Sequence, residues 1–224
     1  EDNGESHIIM VDSGNYDDAD KILTHIRTHY DKVKKSGWSG YVIDAAIVTH
    51  PDDDHIGGFV HILENLQAGK LYDICFNCFW VNDPTKHEFV PNDVQRIQTQ
   101  KSLDARLKCV YNYKEDSKKN LLDLIDSAGI ARTEVFAGDY LDEPQITIIS
   151  PTRDFYESLL PKFRNKLNFH WALEALEENS YSSKDDISDE TTLSKTLDDA
   201  TDDTSAHNQS SIVFLLETDE KQKF

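Results

Sequence analysis

Residues 50–58 read His-Pro-Asp-Asp-Asp-His-Ile-Gly-Gly and follow directly on the apolar run Ala45-Ala46-Ile47-Val48-Thr49. Four side chains that can bind metal, His50, Asp52, Asp54 and His55, fall within six residues. Imidazole nitrogens and carboxylate oxygens are common ligands of divalent transition metals. A strand that ends in a turn would direct these side chains toward one point, so the spacing predicts the beginning of a binuclear metal site.

A simpler interpretation of the same stretch is an acidic turn in which Asp52 or Asp54 caps the following helix. Aspartate is a favoured N-cap before an apolar run. The pair Gly57-Gly58 favours the metal site over this alternative. Glycine has no side chain, so a substrate or a second loop could approach the first helical turn closely there.

The motif resembles that of the metallo-β-lactamase superfamily, His-x-His-x-Asp-His at a strand end, with Asp52 in place of the second histidine. In its form Thr-His-Pro-Asp-x-Asp-His-x-Gly-Gly it looks most like the metallo-β-lactamase domain of the competence DNA-uptake channel protein and its soluble relatives. Two further segments are similar to the family. Residues 8–14 resemble its early strand ending in Asp-x-Gly, and residues 207–213 resemble the later loop and strand.

The resemblance implies an α/β fold, the αββα sandwich of the metallo-β-lactamase type, and a role for each candidate residue. His50 and Asp52 would hold a first metal ion, completed by His207. Asp54 and His55 would hold a second. Asp12 matches a family position that orients the metal ligands. Asp12 and Asp54 are the candidate catalytic residues.

The activity implied is a hydrolase that uses two divalent ions, Zn or Mn, and a hydroxide bridging them. Asp52 makes the first site richer in oxygen, which favours manganese, although zinc binds more tightly in general. A phosphodiesterase or nuclease is the first expectation, with single- or double-stranded nucleic acid as substrate. The alternatives are a lactone or thioester hydrolase and a non-catalytic subunit that acts by association with a protein partner.

Composition sets limits on these expectations. The 224 residues carry a net charge of -19, which argues against broad affinity for phosphate backbones. No apolar stretch approaches the roughly 20 residues of a membrane span. Three cysteines are too few for a disulfide framework, so we expect a cytoplasmic protein without membrane attachment, with Cys75 and Cys78 as buried thiols.

We expect residues 1–224 to form a single domain, without the family's first strand and its C-terminal end. The family continues with a bridging Asp and a last His, whereas this sequence ends at Phe224. Residues 179–206 are rich in Ser, Thr and Asp, which predicts a disordered acidic insertion.

Apolar periodicity predicts the remaining elements. Strands are expected at residues 7–11, 41–49, 71–80, 133–136 and 145–150. Helices are expected at residues 19–35, 58–67, 91–109, 117–128 and 153–178, the last divided near Pro161.

Overall fold

The computed structural model describes residues 7–35, 37–87, 104, 106–141, 145–163 and 205–217. Within these ranges strands and helices alternate along the first half of the chain. The strands are β1 Ile9–Val11, β2 Val33–Lys35, β3 Trp38–Ile43, β4 Ala45–Ile47, β5 Ile74–Phe76, β6 Cys78–Trp80, β7 Ala131–Thr133, β8 Tyr140–Leu141, β9 Ile146–Ser150 and β10 Val213–Leu216. The helices are α1 Ala19–His29, α2 Asp53–Gln67, α3 Leu121–Ser127, α4 Arg153–Leu159 and α5 Ala206–Gln209.

A parallel sheet with the strand order β1-β4-β6-β7 forms the centre of the fold. Because all four strands run the same way, their carboxyl ends meet at one edge. The chain leaves that edge at Asp12, at Val48 and at Val81, directly after β1, β4 and β6. This edge therefore brings together the segments that carry the candidate site.

Two smaller sheets flank the parallel one. In the first, β3 pairs with β2 antiparallel and with β5 parallel. In the second, β9 lies between β8 and β10 and all pairs are antiparallel. The α/β prediction is thus confirmed, with parallel and mixed sheets in one chain.

The two faces of the parallel sheet bury different partners, because side chains alternate along a strand. Ala46, Val48 and Phe79 point into a core shared with the helices, where Phe59 of α2 is fully buried. Ala45, Ile47 and Trp80 face the antiparallel sheet instead, against Ile146, Ile148 and Ile212. Helices therefore pack on one face of the parallel sheet and the antiparallel sheet packs on the other, an arrangement consistent with the metallo-β-lactamase fold.

The prediction of one helix over residues 19–35 is wrong at its end. Helix α1 stops at His29, Tyr30 is extended, and Val33 belongs to β2, where it pairs with Gly40. Gly37 has a positive φ of 78° and turns the chain between β2 and β3. Pairing with a neighbouring strand therefore overrides the helical spacing of Val33.

Helix α2 begins at Asp53, five residues before the predicted start at Gly58. Asp52 is extended (φ -73°, ψ 149°) and occupies the N-cap position. Asp54 and His55 consequently lie in the first helical turn. The expectation that a turn alone directs all four side chains is wrong, since a strand end supplies His50 and a helix start supplies the last two.

The two long predicted strands are each broken in the middle. Asp44 separates β3 from β4 and Asn77 separates β5 from β6. The Asp44 carboxylate accepts hydrogen bonds from the backbone of Ile8 (2.9 Å) and from the Asn77 amide (3.1 Å). These polar side chains thus join the two breaks to the start of β1.

Of the later predictions, the helix over residues 117–128 is shortened to α3, which Asn120 caps by accepting from the N–H groups of Leu122 and Asp123. The strand expected at 133–136 lies at 131–133, and the helix expected from Arg153 is described as α4 and a turn to Phe163. Residues 88–103, 164–178 and 179–204 lie outside the described ranges, so most of the helix predicted at 91–109 and of the expected insertion is not described. No helix in the described ranges has the length and apolar character needed to cross a membrane.

Candidate metal centre

Asp12 lies at the carboxyl end of β1 and is the first residue of the candidate site. Its carboxylate accepts hydrogen bonds from the backbone N–H of Thr49 (2.8 Å), from the Thr49 hydroxyl (2.6 Å) and from Nδ1 of His55 (2.8 Å). Its backbone has a positive φ of 53°, an uncommon conformation for a residue other than glycine. Asp12 therefore ties the end of β1 to the end of β4 and to the first turn of α2.

Asp12 also fixes which nitrogen each imidazole exposes. The Thr49 hydroxyl donates its proton to Asp12, so its oxygen accepts the hydrogen bond from Nδ1 of His50, 2.9 Å away. Because Nδ1 of His55 donates to Asp12 directly, both rings carry their proton on Nδ1. The Nε2 atoms of His50 and His55 are left as the nitrogens that can bind a metal ion.

Each Nε2 faces a carboxylate oxygen of the same motif. The distance from His50 Nε2 to Asp52 Oδ2 is 3.7 Å, and that from His55 Nε2 to Asp54 Oδ2 is 3.8 Å. The two rings lie beside each other, with centroids 3.8 Å apart. The structure thus brings together the residues that the sequence paired, His50 with Asp52 and Asp54 with His55.

The surroundings of the two imidazoles differ. The side chain of His50 is only 7% exposed and that of His55 is 31% exposed. Burial, followed by repulsion from His55, lowers the pKa of His50. The neutral form of His50, which is the form that coordinates metals, is therefore favoured near neutral pH.

The alternative expectation, that Asp52 caps the helix, holds only for the position of its backbone. It occupies the N-cap of α2, but its side chain makes no capping hydrogen bond. Its Oδ1 instead lies 2.6 Å from Nδ1 of His207, a residue 155 positions later in the sequence. His207 is 1% exposed and lies on the short helix α5, with the Phe163 ring edge-on at 5.0 Å.

Asp53 and Asp54 point to different surroundings. Asp54 is 63% exposed at the mouth of the site, beside His55. Asp53 accepts a hydrogen bond from the backbone N–H of Lys114 at 3.3 Å. A segment far along the chain, residues 112–116, therefore packs next to the first turn of α2.

The two glycines of the motif make room for a second loop. A Cβ on Gly58 would lie 2.2 Å from the carbonyl oxygen of Ser13, and one on Gly57 would lie 2.4 Å from the backbone nitrogen of Tyr16. The Ser13 hydroxyl accepts from the Phe59 N–H (2.8 Å) and donates to the His55 carbonyl (2.8 Å). The loop after β1 thus rests directly on α2, which holds Asp12 beside His55.

The donors fit metal ions as two pairs. Two ligands that share one ion, each about 2.0–2.2 Å from it, lie roughly 3 to 4 Å apart, and the measured 3.7 Å and 3.8 Å fall in that range. Within the described ranges, no three His, Cys, Asp or Glu side chains form a group that could hold a metal ion. The roles of His207 as a third ligand and of Asp12 and Asp54 in catalysis stay predictions.

Cys75 and Cys78 have no partner thiol, and neither belongs to the site. Cys78 is half-buried, whereas Cys75 is exposed, so the expectation of two buried thiols is wrong for Cys75. The reason is the alternation of side chains along β5: Ile74 and Phe76 are buried, so Cys75 between them points to the exposed face.

Sequence patterns did not predict a second polar cluster, which lies at the same sheet edge. His87 contacts Glu134, which follows β7, and Glu157 of α4, at 2.8 Å and 2.9 Å. Nearby, Arg132 donates to Asp83 at 2.7 Å. The available signal was that Glu134 directly follows β7 and that Asp83 lies three residues after β6. Spacing along the chain does not reveal Glu157 as their neighbour.

Comparison with known proteins gives one result. Residues 2–102 match the family described as the metallo-beta-lactamase superfamily. The match covers a little under half of the chain and includes Asp12 and the whole 50–58 motif but not His207. Neither the curated proteins nor the solved structures gave a match. The matched family points to metal-dependent hydrolysis, and the nearer resemblance to the DNA-uptake domain stays a prediction.

Proposed function

We propose that this chain is a metal-dependent hydrolase that cleaves phosphodiesters with two divalent ions. The observation that carries the proposal is the hydrogen-bonded chain that runs from Asp12 to both imidazoles. It leaves Nε2 of His50 opposite Asp52 and Nε2 of His55 opposite Asp54. Hydrogen bonds of this kind, from the other ring nitrogen to a carboxylate or hydroxyl, orient histidine ligands in metal sites.

In the proposed site His50, Asp52 and His207 would hold one ion, and Asp54 and His55 would hold the other. Such ions lower the pKa of water and stabilise the negative charge that develops on a phosphoryl oxygen. Asp12 keeps the proton of His55 on Nδ1. Asp54, exposed at the mouth, accepts the proton of the attacking water as its oxygen bonds to phosphorus and the bond to the leaving alkoxide breaks.

A phosphodiester substrate must be bound by a protein with a net charge of -19. Lys114 supplies a local cation, because its backbone is hydrogen bonded to Asp53, next to the proposed ligand Asp54. Its ammonium group lies 5.3 Å from the centre of the Tyr113 ring. We therefore expect nucleic acid to be recognised only at the site, through this segment.

The matched pair Asp54→Ala and Asp53→Ala tests the proposal. Asp54 is exposed, so its replacement should leave the free energy of unfolding within about 0.5 kcal/mol of wild type. We expect Asp54→Ala to abolish hydrolysis of single-stranded DNA, duplex DNA, RNA and a generic phosphodiester. Asp53→Ala, which releases only the Lys114 segment, should retain hydrolysis of the generic phosphodiester. Equal turnover by wild type and Asp54→Ala would refute the catalytic role, and hydrolysis of a lactone alone would replace the proposed substrate.

The metal is tested on protein stripped with a chelator. Because Asp52 hardens the first ion's ligand set, we expect manganese to restore more phosphodiester hydrolysis than zinc does, even where zinc is retained on purification. Elemental analysis before and after stripping, with activity measured after each metal is returned, separates occupancy from function. Highest activity with zinc would contradict this assignment. A stripped protein that neither binds these ions nor hydrolyses any substrate would favour a role by association.

A further inference from the structure

His87 lies between two carboxylates, in the segment that follows β6. Its Nε2 is 2.8 Å from Glu134 Oε1 and its Nδ1 is 2.9 Å from Glu157 Oε1. The His87 side chain is only 1% exposed. An ionised carboxylate only accepts hydrogen bonds, so both contacts are satisfied together when the ring is doubly protonated and positively charged.

Other charged groups around His87 are consistent with this charge. Glu134 Oε1 also accepts from the backbone N–H of Asp83, and Asp83 itself pairs with Arg132. Lys86 lies close enough to act on the charge of Glu134. Arg153 of α4 stacks on the ring of Phe136, 4.2 Å from its centre, and the same ring lies edge-on to His87 at 5.6 Å.

Burial alone would lower the pKa of His87, but the hydrogen bonds and charges of Glu134 and Glu157 outweigh it and the pKa is raised. A raised pKa in the folded protein fixes the direction in which stability changes with pH. The stabilising contribution is complete below the ordinary pKa of histidine and is lost as the pH rises through the raised value. His87 therefore joins the segment after β6, the segment after β7 and helix α4 most firmly at mildly acidic pH.

A row of aromatic contacts leads from His87 to the candidate metal centre. The Tyr156 ring lies 5.2 Å from His87, Phe163 lies 5.8 Å from Tyr156, and His207 lies 5.0 Å from Phe163, all edge-on. Tyr156 is also anchored by its hydroxyl, which donates to the Asn82 carbonyl at 3.0 Å. The wall that packs against His207 is thus built on the helix that Glu157 fastens to His87.

We propose that His87, held as an imidazolium between Glu134 and Glu157, is a positioning residue that keeps His207 against Asp52. This proposal rests on the proposed function for its consequence at the metal site. Loss of the His87 charge releases α4, and the Tyr156 and Phe163 rings no longer press His207 into place. Metal affinity should then fall, in contrast to the usual rise of affinity with pH as ligands lose protons.

The test uses His87→Gln and Glu157→Gln in the full chain, with His29→Gln as the matched control. His29 is an exposed residue of α1 that contacts neither cluster. The first measurement is the NMR spectrum of the His207 ring in metal-free protein at pH 6. We expect its signals to shift in His87→Gln and in Glu157→Gln and to stay unchanged in His29→Gln.

The second measurement is the affinity for Mn²⁺ alone, by calorimetric titration across pH 6 to 9. Losses of tenfold or more accompany changes to the partners that orient metal ligands, so we expect about a tenfold weaker Kd in His87→Gln. In wild type alone, the affinity should decline at high pH. Unchanged His207 signals in both variants would overturn the proposal. Shifted signals in a protein that binds no Mn²⁺ would uphold the positioning role and reject the proposed function.

If His87→Gln does not fold, Glu157→Gln decides the matter, because Glu157 is 31% exposed and keeps its size on amidation. An amide in place of the carboxylate removes one charge and leaves the neighbours in contact. A wild-type His207 spectrum and Mn²⁺ affinity in Glu157→Gln would then count against the proposal.

Discussion

Asp12 makes three hydrogen bonds with one carboxylate, to the backbone and hydroxyl of Thr49 and to the ring of His55. Replacing it with alanine leaves a Thr49 N–H and a His55 N–H without their acceptor. Losses of this kind cost about 1–3 kcal/mol each. We therefore expect Asp12→Ala to lower the free energy of unfolding in urea by roughly 2–6 kcal/mol and to weaken metal binding at the His55 pair by tenfold to a hundredfold.

Asp12→Asn is the matched control, since asparagine tolerates the positive φ at this position and keeps one acceptor oxygen. It should recover most of the lost stability but not the metal affinity, because an amide lacks the negative charge that orients and polarises His55. Wild-type metal affinity in Asp12→Asn would show that the charge has no part in the site.

The sequence predicts contacts between site residues that are close along the chain. It does not predict contacts between residues that are far apart along the chain. His50, Asp52, Asp54 and His55 fall within six residues, so their proximity follows from the chain itself. The approach of His207 to Asp52 across 155 positions depends on α5 packing and was expected only through family order. The His87 cluster joins residues 47 and 70 positions apart, and no local pattern marks it.

At the scale of elements, the contact between α2 and the loop after β1 decides where the ligands stand. Alanine normally stabilises a helix interior relative to glycine by about 0.5–1 kcal/mol. At Gly58 the added methyl would meet the Ser13 carbonyl at 2.2 Å, so the loop must move. We expect Gly58→Ala to destabilise the protein by roughly 1–3 kcal/mol in thermal or urea unfolding, with reduced metal affinity because Asp12 moves with the loop.

A stabilising effect of Gly58→Ala would contradict this account, since helix propensity alone would then govern the position. Apolar spacing predicts that α1 and α2 are helices, but it does not predict their ends. Val33 pairs with β3 instead of continuing α1, and Asp52, the N-cap of α2, directs its side chain to His207.

At the scale of the whole molecule, the fold class was predictable because the buried run Ala45–Val48 and the helices around it are encoded in apolar residues. The division of the apolar core between two faces of one sheet was not, since a strand covered on both faces reads as a continuous apolar run. Alternation of partners along β4, with Ala46 on the helical side and Ile47 on the sheet side, becomes visible only in three dimensions.

The net charge of the whole protein predicts how its affinity for nucleic acid depends on salt. A charge of -19 leaves little attraction to phosphates away from the site. With a slope of about -0.7 per neutralised phosphate of a single strand, a site that uses two or three cations gives a salt dependence of roughly -1.5 to -2. We expect that slope for a single-stranded oligonucleotide by fluorescence anisotropy with Asp54→Ala, which binds without cleavage.

Lys114→Gln should reduce the magnitude of the salt slope by about 0.7, whereas Lys70→Gln, beyond the far end of α2, should leave the slope unchanged. A slope steeper than about -5, or equal effects of the two lysines, would show that an extended surface binds the strand.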